Sequence, residues 1–158
     1  MVYIGIGSNL GNRINNIEQA KFLLKSNGVN ISNISSYYET FSWPDPSKPK
    51  FINIVIKSNT KFPPNKLLKI FKEIEKKLGR TKSARNSPRT CDIDIISYRN
   101  RVISNGIIIP HKKLSQRNFV LIPLFEIRKK WLHPKSKDHI KTLILKLSNK
   151  DITSIKQI

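Results

Sequence analysis

Apolar residues fall into short alternating and helical runs, punctuated by Pro, Gly and Asn. Val2 to Gly7 carries Tyr3, Ile4 and Ile6 and predicts a short buried strand. Asn12 is placed to cap a helix running to about Ser26, with Ile14, Ile17, Ala20 (or Lys21) and Leu24 at helical spacing and Gly28 as its stop. Val29 to Tyr38 is β-rich. Phe41 to Lys50 holds Pro44, Pro46 and Pro49 and predicts a loop, because each proline fixes φ and removes a donor. Phe51 to Asn59 predicts a further strand, with Ile52, Ile54 and Ile56 on one face and Phe51, Asn53 and Val55 on the other. Pro63-Pro64 opens the next helix, whose apolar stripe is Leu67, Leu68, Ile70, Phe71, Ile74 and Leu78 and which Gly79 ends. Cys91 to Tyr98 predicts a strand, Val102-Ile103 and Ile107 to Ile109 short extended pieces, and Phe119 to Ile127 and Ile140 to Leu147 helices, the first interrupted by Pro123.

The order is β-α-β-β-α-β followed by a C-terminal extension. This predicts an α+β, ferredoxin-like fold: an antiparallel sheet with helices packed on one face. The length of 158 residues fits one domain, spanning 1–158. The fold hosts many activities and selects none of them.

Composition changes the picture in two places. A single cysteine excludes a disulfide framework and a multi-cysteine metal site; Cys91 reads as a small core residue. No apolar run approaches the ~18–20 residues of a membrane span, and the N-terminus lacks a basic then apolar leader, so a cytoplasmic, soluble protein is expected, with a monomer as the default state. The formal charge of +20 raises a polyanion partner. Lysines nevertheless spread from Lys21 to Lys156 alongside many Ile and Asn, a pattern that AT-rich codons alone produce. Only Arg80 to Arg89 is a compact basic stretch.

Candidate chemistry concentrates around that stretch. Gly5-Ile6-Gly7-Ser8-Asn9-Leu10-Gly11 approaches a dinucleotide fingerprint, but its last glycine is one residue late and no acidic partner follows at the required distance. Asp92 and Asp94 share one face of a strand, ~6.5–7 Å apart, close enough to ligate a metal pair. Asp is depleted in strands, so the pair needs an explanation. It is either a solvated or salt-bridged face, or a Mg²⁺ pair holding polyphosphate beside Arg89. His111 with Arg117 could reach phosphate or be structural, and Phe119 could be core. His133 receives no chemistry.

An ordered set of motifs then resembles one family: Gly7-Ser8-Asn9-Leu10-Gly11, Ser35 to Thr40, Phe51-Ile52-Asn53, Ile74-Glu75, Leu78-Gly79-Arg80, Pro88-Arg89-Thr90 through Asp92-Ile93-Asp94, Pro110-His111, and Arg117-Asn118-Phe119 with Pro123-Leu124. The chain, from Tyr3 to about Pro134, is similar to 6-hydroxymethyl-7,8-dihydropterin pyrophosphokinases of folate biosynthesis. The resemblance implies transfer of the pyrophosphoryl group of ATP, the co-substrate, to the pterin hydroxymethyl oxygen with release of AMP. It implies two Mg²⁺ ions held by Asp92 and Asp94. It also implies catalytic parts for Lys82, Arg85, Arg89, Asp92 and Asp94. The pterin site would use Thr40, Trp43, Phe51, Asn53, Asp92 and Phe119, and the ATP site Glu75, Lys82, Arg89, His111 and Arg117. Phe41 to Lys50 and Arg80 to Arg89 match mobile loops that close over the substrates. The sequence departs from the family pattern at Phe41, Lys72, Asn86-Ser87, Gly106 and Ile108.

The rival reading is a basic nucleic-acid module exposing Tyr37, Tyr38 and Phe51 on an open sheet. It leaves the two aspartates unexplained, because carboxylates on a binding face repel phosphate. No nucleic-acid or membrane partner is expected on the leading reading.

Overall fold

The computed structural model describes residues 1–81, 84 and 86–158. Its elements are β1 (Val2–Ser8), α1 (Arg13–Ser26), β2 (Asn30–Ile34), β3 (Tyr38–Thr40), β4 (Phe51–Asn59), α2 (Pro64–Lys77), β5 (Asp92–Tyr98), α3 (Asn118–Ile127), α4 (Ile140–Leu145), α5 (Asn149–Thr153) and β6 (Lys156–Gln157). The strands pair antiparallel in the order β5-β1-β4-β3-β6, with β2 also pairing β4. With β2 and β3 taken as one interrupted strand, this is the ferredoxin-like sheet that the pattern predicts.

Alternation sorts the sheet's side chains into two cores. Val2, Ile4 and Ile6 of β1, Ile52, Ile54 and Ile56 of β4, and Ile93 of β5 face α1 and α2. Helix α1 presents Ile17, Ala20 and Leu24, and α2 presents Leu67, Ile70, Phe71 and Ile74. Asn12 caps α1, its side chain accepting from the Asn15 N–H at 3.1 Å. Ile14, although at helical spacing, lies outside this stripe and is exposed.

The two helices of the βαββαβ core lie on one face, as the pattern predicts. The C-terminal extension covers the other face: Tyr3, Val55 and Ile96 pack against Val120, Leu121 and Leu124 of α3 and Ile140 and Leu143 of α4. A sheet with both faces apolar must be covered twice. This second layer reaches only part of the face. Where it stops, at the start of α3, the sheet is left open to a cleft. Among the described residues no helix is long and apolar enough to cross a membrane.

The end of α2 sets up that cleft. Gly79, at φ +85°, takes the left-handed conformation that closes a helix. Its N–H donates to the Lys76 carbonyl, and the Arg80 N–H donates to the Glu75 carbonyl. This paired closure reverses the chain and directs the Arg80 guanidinium back toward β5.

Candidate active site

The cleft floor is a set of cross-strand rows. Gly7 of β1 lies opposite Asn53 of β4 on one side and Asp92 of β5 on the other; Gly5 lies between Val55 and Asp94. A Cβ at Gly7 would come within 2.7 Å of Asn53 Oδ1. The glycines that approach a dinucleotide fingerprint in sequence therefore clear the floor between an amide and a carboxylate.

Asp92 is held from two directions. Arg80 Nη1 donates to Oδ1 at 2.7 Å and Arg89 Nη2 donates to Oδ2 at 2.6 Å. Burial alone would raise the Asp92 carboxyl, but these two guanidinium groups outweigh it and hold it below the ordinary value of 3.8. Asp94 behaves oppositely. Solvent reaches it through the cleft, and among the described residues it has no hydrogen-bond or ion-pair partner. Burial among the surrounding walls, then the Asp92 charge, push it up to about 6 against the opposing charges of Arg117 and Lys72. One carboxylate is thus neutralised by the protein and its neighbour is not.

Aromatic and amide groups form one wall. Asn53, buried, donates from Nδ2 to Thr40 Oγ1 at 3.0 Å. Phe51 lies under the Arg89 guanidinium (5.1 Å to the ring centroid), and Phe119 under that of Arg117 (5.5 Å). Trp43, exposed on the 41–50 loop, carries Lys113 Nζ 4.6 Å above its ring. These residues line one cleft of about 500 Å³ together with Asp92 and Asp94.

His111 and Arg117 line the same cleft beside Phe119. Burial, then the Arg117 and Lys113 charges, lower the His111 imidazole below its ordinary value, so it is neutral near pH 7. Its Nδ1 accepts from the Lys113 N–H at 3.0 Å, which leaves the proton on Nε2, 3.3 Å from Arg117 Nη2. Two donors therefore face each other, an arrangement that an anionic oxygen set against both would satisfy. The Nε atoms of Arg89 and Arg117 are also buried without a partner among the described residues. Helix α3 begins here, and its N-terminal end adds positive potential.

Glu75, assigned by the resemblance to the ATP site, lines a cavity with Lys72, Arg80 and Arg89. It is buried, its Oε1 accepting from the Ile93 N–H at 2.9 Å and pairing with Arg80 at 2.8 Å, while Oε2 pairs with Lys72 at 2.8 Å. It braces β5 between the two aspartates. Lys82 and Arg85 lie outside the described residues. Cys91 is buried and its thiol pushed up to about 12, chiefly by burial, so it stays protonated.

Two further residues serve the cleft that the sequence named only within motifs, with no site role of their own. Arg80 looks like one more cation in a basic chain; its signal was its place directly after a helix-ending glycine. Asn9, buried, accepts on Oδ1 from the Arg89 N–H at 2.7 Å and donates from Nδ2 to the Pro49 carbonyl at 3.1 Å. It thereby ties the bases of both loops to β1.

Among the described residues no cluster of three His, Cys, Asp or Glu forms a protein-only metal site. Two hard oxygen donors remain, Asp92 and the uncompensated Asp94. This set fits Mg²⁺, which takes one or two carboxylates and completes its shell with phosphate oxygens and water.

Comparison with known proteins gives a consistent result. The sequence model of the 7,8-dihydro-6-hydroxymethylpterin-pyrophosphokinase (HPPK) family matches residues 3–129. The chain is 38% identical over 134 residues to the 2-amino-4-hydroxy-6-hydroxymethyldihydropteridine pyrophosphokinase of Aquifex aeolicus, covering 84% of this chain and 83% of that one. It is 41% identical over 128 residues to a folate synthesis bifunctional protein of Arabidopsis thaliana, covering 80% of this chain but 26% of that protein. The chain thus spans about a quarter of this longer relative. The solved Plasmodium falciparum HPPK-DHPS wild type shares the fold, with a TM-score of 0.76 at 14% identity over 99% of this chain and 48% of that one.

Proposed function

This chain belongs to the 7,8-dihydro-6-hydroxymethylpterin-pyrophosphokinase family, and from that premise we propose that it transfers the pyrophosphoryl group of ATP to the hydroxymethyl oxygen of 6-hydroxymethyl-7,8-dihydropterin in folate biosynthesis. A bond forms between that oxygen and the β-phosphorus, the bond from the β-phosphorus to the α,β-bridging oxygen breaks, AMP leaves, and the hydroxyl proton is lost. The observation that carries the reading is that Asp92 and Asp94 share one cleft with Phe51, Phe119 and Asn53 and with the Arg89 and Arg117 guanidinium groups.

Each group has a part. The pterin is a flat heterocycle with an amide-like edge. Phe51 and Phe119 offer ring faces, Thr40 positions Asn53, Asn53 offers donor and acceptor to the edge, and Trp43 covers the mouth. Arg89, Arg117 and His111 receive phosphate oxygens, with Lys82 and Arg85 from the same basic stretch as Arg89, and Arg80 beside them. Asp92 and Asp94 would hold two Mg²⁺ ions; when bound, these supply charge neutralisation on the phosphates. Asp92, held ionised, is a weak base, which fits a reaction that rests on positioning and charge stabilisation. Glu75 acts through Ile93 and Arg80 rather than by touching ATP. A monomer in the cytoplasm is the state proposed.

The test is replacement of either aspartate. Asp92→Ala and Asp94→Ala are each expected to abolish AMP formation from Mg²⁺-ATP and the pterin alcohol while circular dichroism stays native. Turnover like the wild type in either variant would overturn the metal assignment.

A further inference from the structure

Arg80 Nη1 serves three acceptors: Glu75 Oε1 at 2.8 Å, Asp92 Oδ1 at 2.7 Å and the Cys91 carbonyl at 3.2 Å. On the reading above, an Arg80 that turned to phosphate would give up some of these bonds. Its departure would strand Glu75, whose side chain is only 2% exposed. A buried carboxylate that loses its counter-charge is strongly destabilised. Glu75 also accepts from the Ile93 N–H at 2.9 Å, so disturbing it disturbs the backbone between Asp92 and Asp94.

A second cation is already in place. Lys72, one turn earlier on α2, sets Nζ 2.8 Å from Glu75 Oε2 while its side chain remains 60% exposed. Lys72 and Arg80 use different oxygens of Glu75, so either can stay when the other goes. Among the described residues no other cation pairs with this carboxylate.

We propose that Lys72 is a positioning residue that compensates the buried Glu75 charge, so that Arg80 can move from Glu75 onto the triphosphate during turnover. The inference rests on the pyrophosphokinase reading. It makes the α2 pair Lys72–Glu75 a fixed ionic base for β5 and makes Arg80 the mobile member. Lys72 is required for its charge, not for contact with substrate.

The test compares Lys72→Met and Lys72→Arg in the wild-type and Glu75→Gln backgrounds. Lys72→Met is expected to lower kcat by about tenfold, within the range by which contacting charged groups couple, and to leave the KM for pterin within about twofold. Lys72→Arg is expected to restore kcat. In the Glu75→Gln background, where no charge needs compensation, Lys72→Met is expected to change kcat by less than about twofold. An equal loss in both backgrounds, or a lowered melting temperature with kcat unchanged, would overturn the proposal. Formation of AMP by the wild type tests the underlying reading separately. A wild type that forms none removes the destination of Arg80 and overturns both.

Discussion

Asp92 and Asp94 are two residues apart on one strand face, yet their environments drive them in opposite directions. The raised Asp94 carboxyl binds its proton more tightly folded than unfolded. Its ionisation therefore costs stability fully above about pH 6, and the cost fades as pH falls toward the ordinary 3.8. Asp92 is lowered, so its contribution is present above the ordinary value and is lost as pH falls through its folded value. In metal-free solution, Asp94→Asn is expected to raise the melting temperature at pH 7.5 and to change it little at pH 4. Asp92→Asn is expected to lower it at pH 7.5, because Arg80 and Arg89 lose their partner. Thermal melts in a chelator check both; stabilisation by Asp92→Asn would contradict the electrostatic account. Mg²⁺ titrated into the wild type should raise its melting temperature, since a cation at Asp94 offsets the uncompensated charge.

Asn53 is the corresponding residue on the wall proposed to receive the pterin. Removing its amide leaves the ring edge without a partner, which costs about 1–3 kcal/mol. Asn53→Ala is expected to weaken pterin binding by that amount in calorimetry; unchanged affinity would contradict its part.

Among the elements, β1 contributes through what it lacks. Gly7→Ala would set a Cβ 2.7 Å from Asn53 Oδ1. The protein is expected to fold and to lose about tenfold or more in pterin affinity as Asn53 shifts, because a buried polar contact of this kind is worth ~1–3 kcal/mol. A native affinity would show that Asn53 tolerates the displacement. Helix α2 was legible from its single apolar face and clear stops, β4 and β5 from their apolar runs, and α1 chiefly from its cap Asn12 and its stop Gly28. The interruption between β2 and β3 was not. Val55 donates its N–H to Ser35 Oγ, and Ser36 binds Glu126 of α3, so bonds to residues 20 and 90 positions away break the run. Strand β6 carries no alternation; its residues are exposed and exist as a strand only by pairing with β3. Arg80 was equally hidden, because its place depends on how α2 ends and not on its neighbours' residue types.

On the scale of the whole molecule, the two-sided cover of the sheet bears on the readings of its charge. A nucleic-acid module needs exposed aromatics on an open face. Tyr38 is buried with its hydroxyl on Glu126, and Phe51 lies under Arg89 in the cleft. The scarce acids carry more information than the abundant lysines: Asp92 and Asp94 occupy the cleft floor, and Glu75 braces the strand that bears them. The resemblance assigned Thr40, Phe51, Asn53, Arg89, Asp92, Asp94, His111, Arg117 and Phe119 to pterin, ATP and metal sites, and these residues line one cleft. What it could not supply was the division of labour between Asp92 and Asp94, which depends on partners from α2 and from the segments flanking β5.

The most direct measurement is a ³¹P NMR spectrum of the protein turning over Mg²⁺-ATP with 6-hydroxymethyl-7,8-dihydropterin. The account requires AMP and a pterin diphosphate ester in equal amounts. ADP with a pterin monophosphate, or ATP left unchanged, would contradict it.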